Sequence, residues 1–80
     1  MRSVVIIEKK EKFGGYYATV SGKFGGGYSN AFAGKTPEDA ACFASREVLK
    51  YCRTKEGGDL VAPPEIMAIV PKHLHNIEAR

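Results

Sequence analysis

Eighty residues, 44% hydrophobic and 26% charged, have the make-up of a single globular domain and not of a disordered tail. Twelve Lys and Arg against nine Asp and Glu leave a net charge of +3, a balance that permits an acidic or nucleic-acid-bearing partner but excludes imitation of the DNA backbone, which needs dense carboxylates. No stretch approaches the ~20 apolar residues of a membrane-spanning helix, and the apolar part of MRSVVIIEKK is too short for a secretory signal, so a cytoplasmic location is expected.

Ser3 to Lys9 (SVVIIEK) is a β-branched run, apolar on both faces for four residues, and reads as a central strand. Lys10 to Gly15 carries turn signals, and Tyr16 to Ser21 (YYATVS) alternates as a second strand, most simply joined to the first as a hairpin. The loop Gly22 to Gly27 is rich in glycine and is expected to move unless something packs on it. Tyr28 to Ala33 (YSNAFA) forms a third strand, with Tyr28, Asn30 and Phe32 expected on one face.

Thr36 to Arg53 is the one segment with a start signal, a sustained apolar face and a stop. Thr36 suits the N-cap, Pro37 the first helical position, and Glu38 and Asp39 the positive end of the helix dipole. Ala40, Ala41, Ala44, Val48, Tyr51 and Cys52 share one broad face, with Arg46, Glu47, Lys50 and Arg53 outside it. Gly57 and Gly58 stop the helix, Leu60 and Val61 leave room for a short strand, and Pro63 and Pro64 interrupt regular structure. Glu65 to Val70 (EIMAIV) reads as a last strand, and Leu74 and Ile77 can tack down the polar tail. The expected fold is α+β: one domain over 1–80, an antiparallel β-sheet in the order β-β-β-α-β with room for an extra short strand, and one helix packed across one face.

Cys42 and Cys52 lie ten positions apart on the same helix, about 15 Å along its axis, too far to bridge; both are read as buried reduced thiols. Gly34-Lys35-Thr36 lacks the earlier glycine of a phosphate-binding loop, since Ser29 stands in its place, and is explained by the helix cap. His73 and His75 lack a third ligand, and no nucleophile beside a base and no paired carboxylates emerge, so neither metal, cofactor nor catalytic residue is expected. What remains is a surface signal of aromatics interleaved with cations, as in partner interfaces and base-stacking platforms. Tyr16, Tyr17, Phe24 and Tyr28 lie among Lys12 and Lys23, and Phe43 falls near Arg46 and Lys50. The expected contact set is Lys23, Phe24, Tyr28, Phe43, Arg46 and Lys50, with Phe24 and Phe43 the aromatics most expected to stand exposed.

Two resemblances add to this reading. The run VVIIEK, the Gly15-Tyr16 pair and the helix start Thr36-Pro37-Glu38-Asp39-Ala40 are similar to small antitoxin domains with a β-β-β-α-β core. A set spread over most of the chain comprises Val4-Val5 with Glu8, Gly15-Tyr16 with Val20, Ala33-Gly34 followed by Pro37 and Ala40-Ala41, and Met67-Ala68-Ile69-Val70-Pro71 with Leu74. Through these residues the sequence resembles the type I-F anti-CRISPR proteins, small phage products that disable the RNA-guided surveillance complex of a bacterial host. That resemblance implies a non-enzymatic inhibitor without a cofactor, acting in the host cytoplasm as a monomer or weak homodimer. Its partners would be protein subunits of a type I surveillance complex, with or without bound nucleic acid, and the effect a block of target DNA binding or of nuclease–helicase recruitment. The alternative is a small nucleic-acid-binding or antitoxin-like regulatory domain.

Overall fold

The computed structural model describes residues 2–22 and 26–80. Strands β1 (Ser3–Lys10), β2 (Gly15–Ser21) and β3 (Tyr28–Gly34) lead into helix α1 (Pro37–Tyr51). Strand β4 (Gly58–Val61), a single helical turn α2 (Pro64–Met67) and a two-residue strand β5 (Asn76–Ile77) complete the chain, with 3-10 turns at Glu11–Phe13 and Lys72–Leu74. The five strands form one open sheet in the order β3-β2-β1-β4-β5. The fold is α+β as expected, and β1 takes the central place that its apolar run announces.

Cap chemistry fixes α1. The Thr36 hydroxyl accepts a hydrogen bond from the Asp39 amide at 3.1 Å, and Pro37 starts the helix without losing a donor that it would need. Its buried residues are Ala40, Ala41, Ala44 and Val48, and three alanines in four allow the helix backbone to approach the sheet closely. Beneath it lie Val5 and Ile7 of β1, Tyr16, Ala18 and Val20 of β2, and Leu60 of β4. The alternation follows the hairpin register, in which Val5 faces Val20 and Ile7 faces Ala18.

Four expectations are corrected. The sheet is not wholly antiparallel: β4 runs parallel to β1, from Ser3 opposite Gly58 to Ile6 opposite Val61. An α1 crossover carries the chain back over the sheet before β4 begins, and a strand that starts from the same end as β1 can only pair with it in parallel. Glu65 to Val70 is not a strand. The Val70 amide donates to the Ile66 carbonyl at 3.0 Å, so the two apolar residues that bury themselves repeat every four positions and not every two. The last strand lies instead at Asn76–Ile77, antiparallel to β4.

The third correction is in β3. Ala18 pairs with Ala31 and Val20 with Tyr28, so Ser29 and Asn30 together oppose Thr19. This is a β-bulge, and Asn30 adopts a left-handed φ of 62° to make it. The extra residue reverses the alternation: Tyr28 turns toward the helix while Phe32 turns to the opposite face, where both were expected to share one. Cys52 is buried as expected, but Cys42 is exposed.

Arg2 closes the structure. Its guanidinium donates to both Asp59 carboxylate oxygens at 3.0 and 3.1 Å and to the Glu56, Gly58 and Ile77 carbonyls. One side chain thereby holds β4, β5 and the N-terminal end of β1 together, and the Asn76 amide adds a further bond to Asp59. These donors hold the Asp59 carboxyl below its ordinary pKa.

Candidate interaction surface

The sequence-predicted contact residues divide. Lys23 and Phe24 lie outside the described residues. Tyr28 and Lys50 come together: the Tyr28 hydroxyl donates to Glu47 of α1, its ring stands edge-on to Tyr51 with centroids 6.2 Å apart, and Lys50 Nζ sits 5.2 Å from the Tyr51 ring. Burial, then the bond to Glu47, raises the Tyr28 hydroxyl pKa. Tyr28 is therefore a half-buried strut between strand and helix rather than a free anchor. Arg46 and Lys50 are exposed on α1, but Phe43 is half-buried against the core. It lies three residues after Ala40 and four before Glu47, on the shoulder of the buried face, which accounts for the departure from the exposed position expected of it. A hollow of about 240 Å³ opens beside Lys50 and Tyr51, bordered by Ser3, Val20, Gly26 and Gly27.

A second surface was not foreseen. Helix α1 covers one face of the sheet, and the other carries Val4 and Ile6 of β1, Tyr17 of β2, Phe32 of β3 and Val61 of β4. Phe13, from the 3-10 turn between β1 and β2, folds over the same face. Its ring centroid lies 6.0 Å from that of Tyr17, at an interplanar angle of 66°, and Tyr17 lies 5.5 Å from Phe32 at 68°. Three aromatic rings from three elements thus interlock edge to face, the arrangement that their quadrupoles favour. Phe13 is 60% exposed, Phe32 51% and Val61 54%.

Local sequence positions these rings. Gly15 opens β2 beside Phe32, and a Cβ on Gly15 would stand 2.8 Å from Phe32 Cε1, so the ring takes the space that a side chain there would fill. Lysines border the row. Lys10 Nζ lies 5.8 Å from the Tyr17 ring and bonds the Asn30 side-chain oxygen; Lys12 Nζ lies 5.8 Å from the Phe13 ring. Glu8, opposite Tyr17 in the hairpin register, places one carboxylate beside the central ring.

Sequence reasoning named Tyr17 and Lys12 among the aromatic and basic residues and placed Phe13 in a turn, as found, but did not count Phe13 as a surface aromatic and put Phe32 on the same face as Tyr28. The signal that could have found the site was the continuous apolar run VVII, which supplies one face to the helix and leaves Val4 and Ile6 for the other. The arrangement offers an apolar, aromatic patch with cations at its border. No family model matches the chain, and comparison with curated proteins returns no matching relative.

Proposed function

We propose that this chain is a non-catalytic inhibitor of the anti-CRISPR kind, which binds a type I surveillance complex and blocks target DNA binding or nuclease–helicase recruitment by occlusion. The observation that carries the reading is the open sheet face. An interlocked aromatic row with more than half of Phe13 and Phe32 exposed is the chemistry of a protein-binding hot spot. The resemblance supports the choice of partner. Several residues that carry it, Val5, Tyr16, Val20, Ala40, Ala41, Val70 and Leu74, are buried in the core, so it speaks for a shared scaffold. The bacterial cytoplasm is the proposed location, and no helix among the described residues is long and apolar enough to cross a membrane.

Pull-down of the purified protein against type I surveillance complexes of several subtypes, with and without target DNA, tests the proposal. Stable capture of at least one complex is expected, and absence of binding to all would overturn it.

The chain order gives a second reading its support. Three strands, a helix and a strand that returns beside β1 follow the same β-β-β-α-β order as the antitoxin-like domains that the sequence resembles. Such a regulator would bind nucleic acid, with an affinity that falls steeply with salt as counterions are released. A mobility shift with duplex and single-stranded probes at two salt concentrations separates the readings, and no shift in either removes the second.

A further inference from the structure

An inhibitor that works by occlusion must hold its partner through some part of its surface. We infer that the open sheet face centred on Phe13, Tyr17 and Phe32 is that docking surface, and that it fits a protein patch with an apolar centre bordered by carboxylates; this rests on the reading of the chain as a binding protein.

Preorganisation is the first argument. Tyr17 is gripped from both sides by its neighbours at 6.0 and 5.5 Å, so little side-chain freedom remains to be lost when a partner lands. The charge pattern is the second. Lys10 and Lys12 both stand at the aromatic row, each 5.8 Å from a ring centroid, and Lys10 is tethered to Asn30. Against them stand Glu8, opposite Tyr17, and Asp59 of β4, which lies opposite Val4 on the same face but is already paired with Arg2. A carboxylate border on the partner complements that pattern.

The same details weigh against two other occupants. Base stacking needs ring faces free for bases, whereas the central Tyr17 already packs against two rings and has Glu8 beside it to repel phosphate. A second copy docked row to row, with the two-fold axis through the Tyr17 rings, would bring Lys10 and Lys12 of one molecule toward the same lysines of the other.

The test uses the full chain in two arms. In the first, a displayed library of random dodecapeptides is selected on the wild-type protein, and the binders are measured on Phe32→Ala, Tyr17→Ala and Lys12→Glu, with Arg53→Glu as the control. Binders rich in Leu, Phe or Trp flanked by Asp or Glu are expected. They should lose on the order of tenfold or more in affinity on the two aromatic variants and a few-fold on Lys12→Glu, with no change on Arg53→Glu. Lys12 is exposed in a turn, so its variant keeps the test decisive if an aromatic one fails to fold. Failure to obtain peptides that depend on these residues overturns the inference. In the second arm the same variants are measured against any surveillance complex that captures the wild type. Complex binding that all of them retain overturns the docking surface and leaves the proposed function standing. Peptide binding that follows the expected pattern, with no complex captured, supports the surface and removes the proposed function. A dimer in sedimentation, or a nucleic-acid mobility shift, that Phe32→Ala abolishes gives the face to another occupant and overturns the inference.

Discussion

Ile66→Ala and Phe32→Ala, compared in one experiment, separate the residues that hold the fold from those that serve its surface. Ile66 of α2 is fully buried, and α2 packs against α1. Truncating a fully buried isoleucine to alanine costs about 2–5 kcal/mol in lost transfer energy and residual cavity. A domain of this length holds a total stability of only about 4–12 kcal/mol, at roughly 0.05–0.15 kcal/mol per residue. Ile66→Ala should therefore lower the urea midpoint by about 2 M or more, taking a slope near 1 kcal/mol/M for a small domain. Phe32 is half exposed on an edge strand, and its removal forfeits one edge-to-face pair and partial burial, together about 1–2 kcal/mol. The assay is urea denaturation followed by far-UV circular dichroism. Equal midpoints for the two variants, or a smaller effect at Ile66, would refute the placement of α2 as part of the core.

Other perturbations test other parts of the structure. Thr36→Ala removes the N-cap bond to Asp39 and should cost about 1 kcal/mol, measured by thermal melting; replacement by Ser should restore most of the loss. Gly58→Ala places a Cβ 2.6 Å from Cys52 Cβ and 2.7 Å from the Ser3 carbonyl oxygen, so overpacking of about 1–3 kcal/mol is expected, again read from the melting midpoint. The pH dependence follows from Asp59, whose folded pKa is depressed chiefly by the hydrogen bonds from Arg2. Its stabilisation is complete above the unfolded carboxylate pKa of about 3.9 and is lost as the pH falls through the lower folded value. Asp59→Asn should flatten the acid limb of a stability-versus-pH profile, and an unchanged limb would show that the Arg2 clamp does not hold in solution. Glu65, also depressed by its own backbone hydrogen bond and by the Tyr16 hydroxyl at 2.9 Å, adds to the same limb. Gly15→Ala should displace the Phe32 ring and reduce partner binding while leaving helix content intact, checked by circular dichroism beside the binding assay.

Legibility in the sequence tracked the range of the interactions. The α1 start was readable because Thr36, Pro37, Glu38 and Asp39 act within one turn, and β1 to β3 because alternation and glycines mark them locally. The EIMAIV segment was ambiguous on its own terms: its apolar residues are nearly continuous, so period two and period four fit equally, and burial of Ile66 and Val70 in the core decided the matter. The bulge at Asn30 left only the hint that asparagine tolerates a left-handed φ, yet that one residue moved Phe32 to the other face. The aromatic sheet face was the least legible part. Phe13, Tyr17 and Phe32 belong to separate elements, and only the pairing register and that bulge bring their rings together.

The parallel pairing of β1 with β4 bears on synthesis as well as architecture. β1, the middle of the finished sheet, leaves the ribosome well before its partner β4, and one of its two hydrogen-bonding edges stays open until Gly58 to Val61 arrive, after the whole of α1. During that interval the run Val4 to Ile7 presents an unpaired, apolar, β-branched edge, the kind that recruits strands from other chains. Fragments cut between Tyr51 and Gly58 would carry the same defect permanently. They should accumulate as aggregates while the intact chain, with β4 in place and Arg2 locked onto Asp59, stays dispersed.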